Sequence, residues 1–300
     1  MDSNAIIERE KAFIDKISDK YNYDSNIRHL LYLIIPAFII KYDLNKETLV
    51  KNTFENIRII SSKKKDDKVK AHYSSILKEK NNDYYSEKYM VIKNYEKISL
   101  IDLLENLVHE FNHAINSYTN EIKVLKKSIY LRTGLSYCIY DKNTLQFIKK
   151  DNSFILEEII NTKQTEEIIN IIKGFDKNNK IIENTIYAIN GETSKSYESN
   201  SYFLQSYICK EILNNRTFIT TLEKLRLSGD VYDIDKWFDN ITGIELSYKK
   251  LINELFEVYN LEIDYSKRKF FKKITLNKIR NKVSVIKNII DTYNNNVNYK

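Results

Sequence analysis

One proline, five glycines and two cysteines in 300 residues leave little material for the punctuated folds. No repeat and no long low-complexity linker appears along the chain. The cysteines, Cys138 and Cys209, belong to no C-x-x-C pattern, which fits two free buried thiols in a reducing cytosol rather than a disulfide framework. No long apolar run is present either. The longest, Leu30 to Ile40, contains Pro36 and is too short to span a bilayer, so it reads as a buried helix kinked at the proline. The start, Met1-Asp2-Ser3-Asn4, lacks a basic segment followed by an apolar core, so no secretory signal is expected and the expected location is cytoplasmic. Charge of one sign is also lacking: the net +7 is mild, and acids interrupt the lysines almost everywhere. The densest basic runs, Lys63-Lys64-Lys65 and Lys267-Arg268-Lys269 through Lys272-Lys273, read as solvated faces, since no nucleic-acid-binding motif accompanies them.

What is present is the composition of a soluble globular protein, 42% hydrophobic and 30% charged, long enough for one or two domains. Its 23 tyrosines and its surplus of Asn, Lys and Ile are a bias to which no function is attached. The four histidines are distributed unevenly. Two of them fall in Leu107-Val108-His109-Glu110-Phe111-Asn112-His113, a His-Glu-x-x-His run inside a helical pattern. Imidazoles four residues apart share one helix face and can clamp a single Zn²⁺, and Glu110 can reach a water on that metal.

The pattern around the motif places it. Ser99 with Asp102 three residues on opens a helix. Its apolar stripe is Leu104, Leu107, Val108, Phe111, Ile115 and Tyr118, with His109 and His113 nearly opposite, beside Asp102 and Asn106. Helices are expected over 4–20 and 24–42. Short strands are expected at Ile57–Ile60 and Tyr89–Ile92, separated by charged loops. Residues 122–149 read as strands: Ile129–Leu131, Leu135–Tyr140, a turn at Asp141–Asn143, then Leu145–Ile148. A short helix is expected from Ser153 to Lys163, and Thr165 is expected to cap another running to Gly174. After a polar stretch over 176–200, helices are expected at 200–214, 218–226, 233–241, 244–260 and 266–293, with Trp237 in their core. The fold class is α+β and predominantly α-helical. Three segments are expected: 1–98 with helices and short strands, 99–175 as the metal-site core, and 176–300 as a helical lobe.

A catalytic zinc takes three protein ligands and keeps one position open. Asn116 and Thr119 stand where one class of zinc peptidases carries Gly and a third His, so that class is excluded. His29 and His72 lie in segments without ligand-like context. Phe154-Ile155-Leu156-Glu157-Glu158-Ile159-Ile160-Asn161 puts two carboxylates on a helix about 45 residues after His113. With this arrangement the chain resembles the gluzincins, zinc metallopeptidases in which a Glu from a later helix completes His-Glu-x-x-His. The resemblance spans about residues 85 to 210 and rests on His109, Glu110, His113 and the Glu157-Glu158 pair.

The resemblance implies a zincin-like architecture: a small mixed or antiparallel sheet, the motif helix and a helical C-terminal lobe. It implies Zn²⁺ held by His109, His113 and Glu158, with Glu157 as the alternative, because periodicity places both carboxylates about equally far from the buried side. Ile159 stands where many members carry Gly after the ligand. Asn161, one turn on, is a candidate for orienting a histidine ligand. The implied reaction is metal-assisted hydrolysis of a peptide bond, with Glu110 as general base and then acid. Tyr197, or Tyr202, is the candidate donor to the oxyanion. Arg132 sits at a turn where it could bind a substrate carboxylate, though a surface ion pair is the plainer role. The strand Tyr89–Lys93 is expected as an exposed edge able to hold an extended peptide. The expected partner is a peptide or protein substrate. The alternative is a non-catalytic peptide- or protein-binding module on the same scaffold, and a basic nucleic-acid binder ranks below both.

Overall fold

The computed structural model describes residues 3–63, 71–81, 83–175, 202–267 and 272–298. The stretch 176–200 with Tyr197, and Lys64, Lys65, Arg268 and Lys269 of the basic runs, lie outside the described residues. The chain forms two compact units, 1–118 with 161–200, and 119–160 with 201–300. These units cut across the three segments read from the sequence.

The first unit opens with helices α1 (Ser3–Tyr21), α2 (Ser25–Tyr42) and α3 (Glu47–Asn56). Asp24 caps α2 by accepting from the Ile27 N–H at 2.9 Å. Residues Leu30 to Ile39 of α2 are all buried, as a helix apolar all round requires, and Pro36 lies within the helix rather than ending it. Strands β1 (Arg58–Ser62), β2 (Ala71–Lys80) and β3 (Asp83–Lys93) form a mixed sheet in the order β1-β3-β2. β3 pairs parallel with β1 and antiparallel with β2. The stretch Tyr89–Lys93 is therefore the middle of the sheet and not its edge, because β2, unforeseen in the sequence, covers its open side. Helix α4 (Leu100–Ser117) follows and carries the motif. Phe54 packs on Phe111 at 3.9 Å and on Phe38 at 5.6 Å between ring centroids, tying α3, α4 and α2 into one apolar core.

The second unit holds an antiparallel meander of β4 (Ile122–Leu125), β5 (Ser128–Thr133), β6 (Ser136–Asp141) and β7 (Phe147–Lys150) in sequential order. Helices α6 (Phe203–Ile208), α7 (Lys210–Asn214), α8 (Arg216–Ser228), α9 (Ile234–Thr242), α10 (Ser247–Lys267) and α11 (Lys272–Asn298) complete it. Its core joins Leu135, Ile155, Leu156, Phe218, Phe238 and Tyr293, with Trp237 half-buried against them.

Helix α5 (Phe154–Lys173) is one helix of 20 residues. Two helices were expected here. Thr165 caps neither: its hydroxyl donates to the Asn161 carbonyl at 2.8 Å, a bond back along the helix that leaves the chain free to continue. The α+β, mostly helical class stands. Among the described residues no helix is long and apolar enough to cross a membrane.

Candidate metal centre

Helix α4 starts where the sequence signals it. Ser99 accepts from the Asp102 N–H at 3.2 Å and donates to the Asp102 carboxylate at 2.7 Å. Beyond the apolar stripe, the other faces are covered too: Glu105, Glu110, Asn112, His113, Asn116 and Ser117 are all buried. His109 is half-buried. The face that carries the motif is thus largely covered rather than open. The two imidazoles lie edge to face, with centroids 4.9 Å apart. The His113 carbonyl accepts from Ser117 Oγ at 2.5 Å.

The glutamates of α5 separate into two environments. Glu157 is 1% exposed and is fully engaged in the second unit's core. Its Oε1 pairs with Arg226 Nη2 at 2.5 Å, and its Oε2 accepts from Arg226 Nε at 2.9 Å and from the Leu135 N–H at 2.8 Å. That removes Glu157 as the alternative third ligand. Glu158 is half-buried, and its carboxylate, His109 and His113 offer ligand atoms that all lie within 4.8 Å of one another. The next turn of the same helix fixes this approach, since Asn161 Nδ2 donates to the His109 carbonyl at 2.9 Å. Two imidazoles and one carboxylate are a donor set suited to zinc.

Glu110, buried and between the histidines in sequence, accepts from the Tyr73 main-chain N–H of β2 at 2.6 Å. Sequence reasoning missed this donor, because a backbone N–H carries no residue signature. Asn161 was singled out from the sequence, but the carboxamides of Asn112 and Gln164 were not. Asn112 Nδ2 donates to Asn161 Oδ1 at 2.6 Å and to Gln164 Oε1 at 3.0 Å, and Asn112 Oδ1 accepts from Tyr42 Oη. Asn112 and Asn116, four apart on a largely apolar helix, were the available sign.

Other expectations fare differently. Arg132 is not at the surface: it is 0% exposed on β5, with its guanidinium donating to the carbonyls of Gly134 at 2.7 Å, Arg226 at 3.0 Å, and Thr119. It holds main chain together and offers no fork to a substrate. His29 on α2 and His72 on β2 are not part of the ligand group. Tyr202, at the start of α6, is half-buried and stacked on Tyr259 at 5.5 Å. Burial, then the Glu158 charge, push its phenol well above the ordinary value, so it stays a proton donor.

No family model matches the chain, and no solved structure matches it. A MATH and LRR domain-containing protein of Plasmodium falciparum (isolate 3D7) is 26% identical over 269 residues. That match covers 83% of this chain but 2% of the length of the relative, so its domain names describe that protein and assign no family here.

Proposed function

We propose that the chain is a zinc-dependent metallopeptidase with gluzincin-like chemistry, and that it hydrolyses a peptide or protein substrate. The observation that carries the reading is the convergence of His109, His113 and Glu158 beside a buried Glu110. The order of elements, a small mixed sheet, the motif helix, an antiparallel meander, the carboxylate helix and then further helices, supports a zincin-like architecture. Two free thiols, Cys138 and Cys209, accord with a cytoplasmic location.

His109, His113 and Glu158 would hold the ion. When bound, zinc supplies Lewis acidity, which brings the proton of an attacking water within reach of a carboxylate base near neutral pH. Glu110 is that base. The Tyr73 N–H fixes its Oε2, and Oε1 takes the proton and then delivers it to the leaving amine. Tyr202, protonated and within the field of Glu158, is the described tyrosine best suited to donate to the developing oxyanion.

The test is Glu110→Gln against a broad peptide library. Cleavage should fall about 10²–10⁴-fold with zinc content unchanged. Zinc content unchanged and no cleavage by the wild-type chain either would transfer the reading to a peptide-binding module. Cleavage equal in both proteins would remove Glu110 from the chemistry.

A further inference from the structure

We infer that Asn112 and Asn161 are positioning residues that set the register of α5 against α4, and with it the approach of Glu158 to the two histidines. The inference rests on the metal-site reading above. Both side chains are 0% exposed. The Asn112 carboxamide uses both its ends: Nδ2 donates to Asn161 and Gln164, and Oδ1 accepts from Tyr42 Oη and, at 3.2 Å, from Asn116 Nδ2. Asn161 returns the contact by donating Nδ2 to the His109 carbonyl at 2.9 Å. One carboxamide of α5 is therefore bonded to α4 at two points three residues apart, at His109 and at Asn112.

Apolar helix faces fit one another in several neighbouring registers, whereas a buried carboxamide with both ends engaged fits one. Glu158 is three residues before Asn161, so the two share a face of α5 about 4.5 Å apart along its axis. A slip of one residue turns α5 by about 100° and swings the carboxylate away from the imidazoles. Hydrophobic residues of similar volume would fill the same space without the cost of burying amides. What they would not supply is a single register.

The test uses the full chain and the metal alone. Zinc affinity is measured by competition with a chromophoric chelator, and the site is read independently from the visible absorption of bound Co²⁺. The double variant Asn112→Leu/Asn161→Leu should melt cooperatively without metal, yet bind zinc about 10–100-fold more weakly, with its Co²⁺ spectrum moving toward that of Glu158→Ala. If the double variant does not fold, Asn161→Ala alone carries the same expectation. Wild-type affinity and spectrum in the folded Asn variants, alongside weakened binding in Glu158→Ala, overturn this inference and leave the metal site standing. A wild-type chain that binds no metal overturns both.

Discussion

Arg226 grips Glu157 by two bonds, 2.5 and 2.9 Å long, with both side chains fully withdrawn from water. Consecutive residues of one helix thus serve separate ends: Glu157 ties the β5–β6 turn to α8 in the second unit's core, and Glu158 lies with the histidines. Removing one partner strands a buried charge, so Arg226→Met should cost about 3–5 kcal/mol in urea unfolding. Glu157→Leu/Arg226→Met together should recover most of that loss. Equal losses in the single and double variants would contradict the pairing.

Gly134 lies under the same carboxylate. Its φ is +56°, and a Cβ there would meet the Glu157 carboxyl at 2.1 Å. Gly134→Ala therefore combines backbone strain with displacement of a buried ion, and should destabilise by about 2 kcal/mol or more. A thermal melt within a degree of wild type would contradict this.

The first unit carries a pH-dependent cluster. The Lys51 ammonium, 2.8 Å from Glu47, holds that carboxyl below its ordinary value of 4.5, with Arg9 assisting and partial burial opposing. The folded value is the lower one, so this contribution is present above about pH 4.5 and is lost as pH falls through the folded value. Glu47→Gln should be less stable than wild type at pH 7, and the difference should shrink as pH falls through the folded value. A stability difference that does not change with pH would contradict the assignment.

The sequence made α4 legible because cap, apolar stripe and motif coincide from Ser99 to Ile115. The hairpin strands were legible from alternation around Asp141–Asn143. β2 was not, since of its ten residues Leu77 alone is buried and no alternation survives. The break expected at Thr165 followed from hydroxyl capping propensity, which a bond back to Asn161 overrides. Periodicity could not choose between Glu157 and Glu158, because the choice is made by Arg226, 69 residues later. Arg132 misled for a related reason: its acceptors are main-chain carbonyls, which leave no trace in residue type.

The Tyr73 contact yields a test of a single atom. Its N–H points to Glu110, so it takes no part in the β2–β3 ladder, and β2 is an edge strand of its sheet that tolerates proline there. Tyr73→Pro should keep zinc and fold but lower peptide cleavage about 10–100-fold, whereas Tyr73→Ala, which retains the N–H, should stay near wild type. Equal activity in both variants would show that this donor does not position the base.

Zinc per chain, measured by plasma mass spectrometry after dialysis against metal-free buffer, tests the central claim most directly. One equivalent in the wild type, falling to near zero in His113→Ala and sharply in Glu158→Ala but not in Glu157→Ala, is the predicted result. A wild-type chain without zinc that also fails to take it up on addition, or one whose zinc survives loss of His113, would contradict the account.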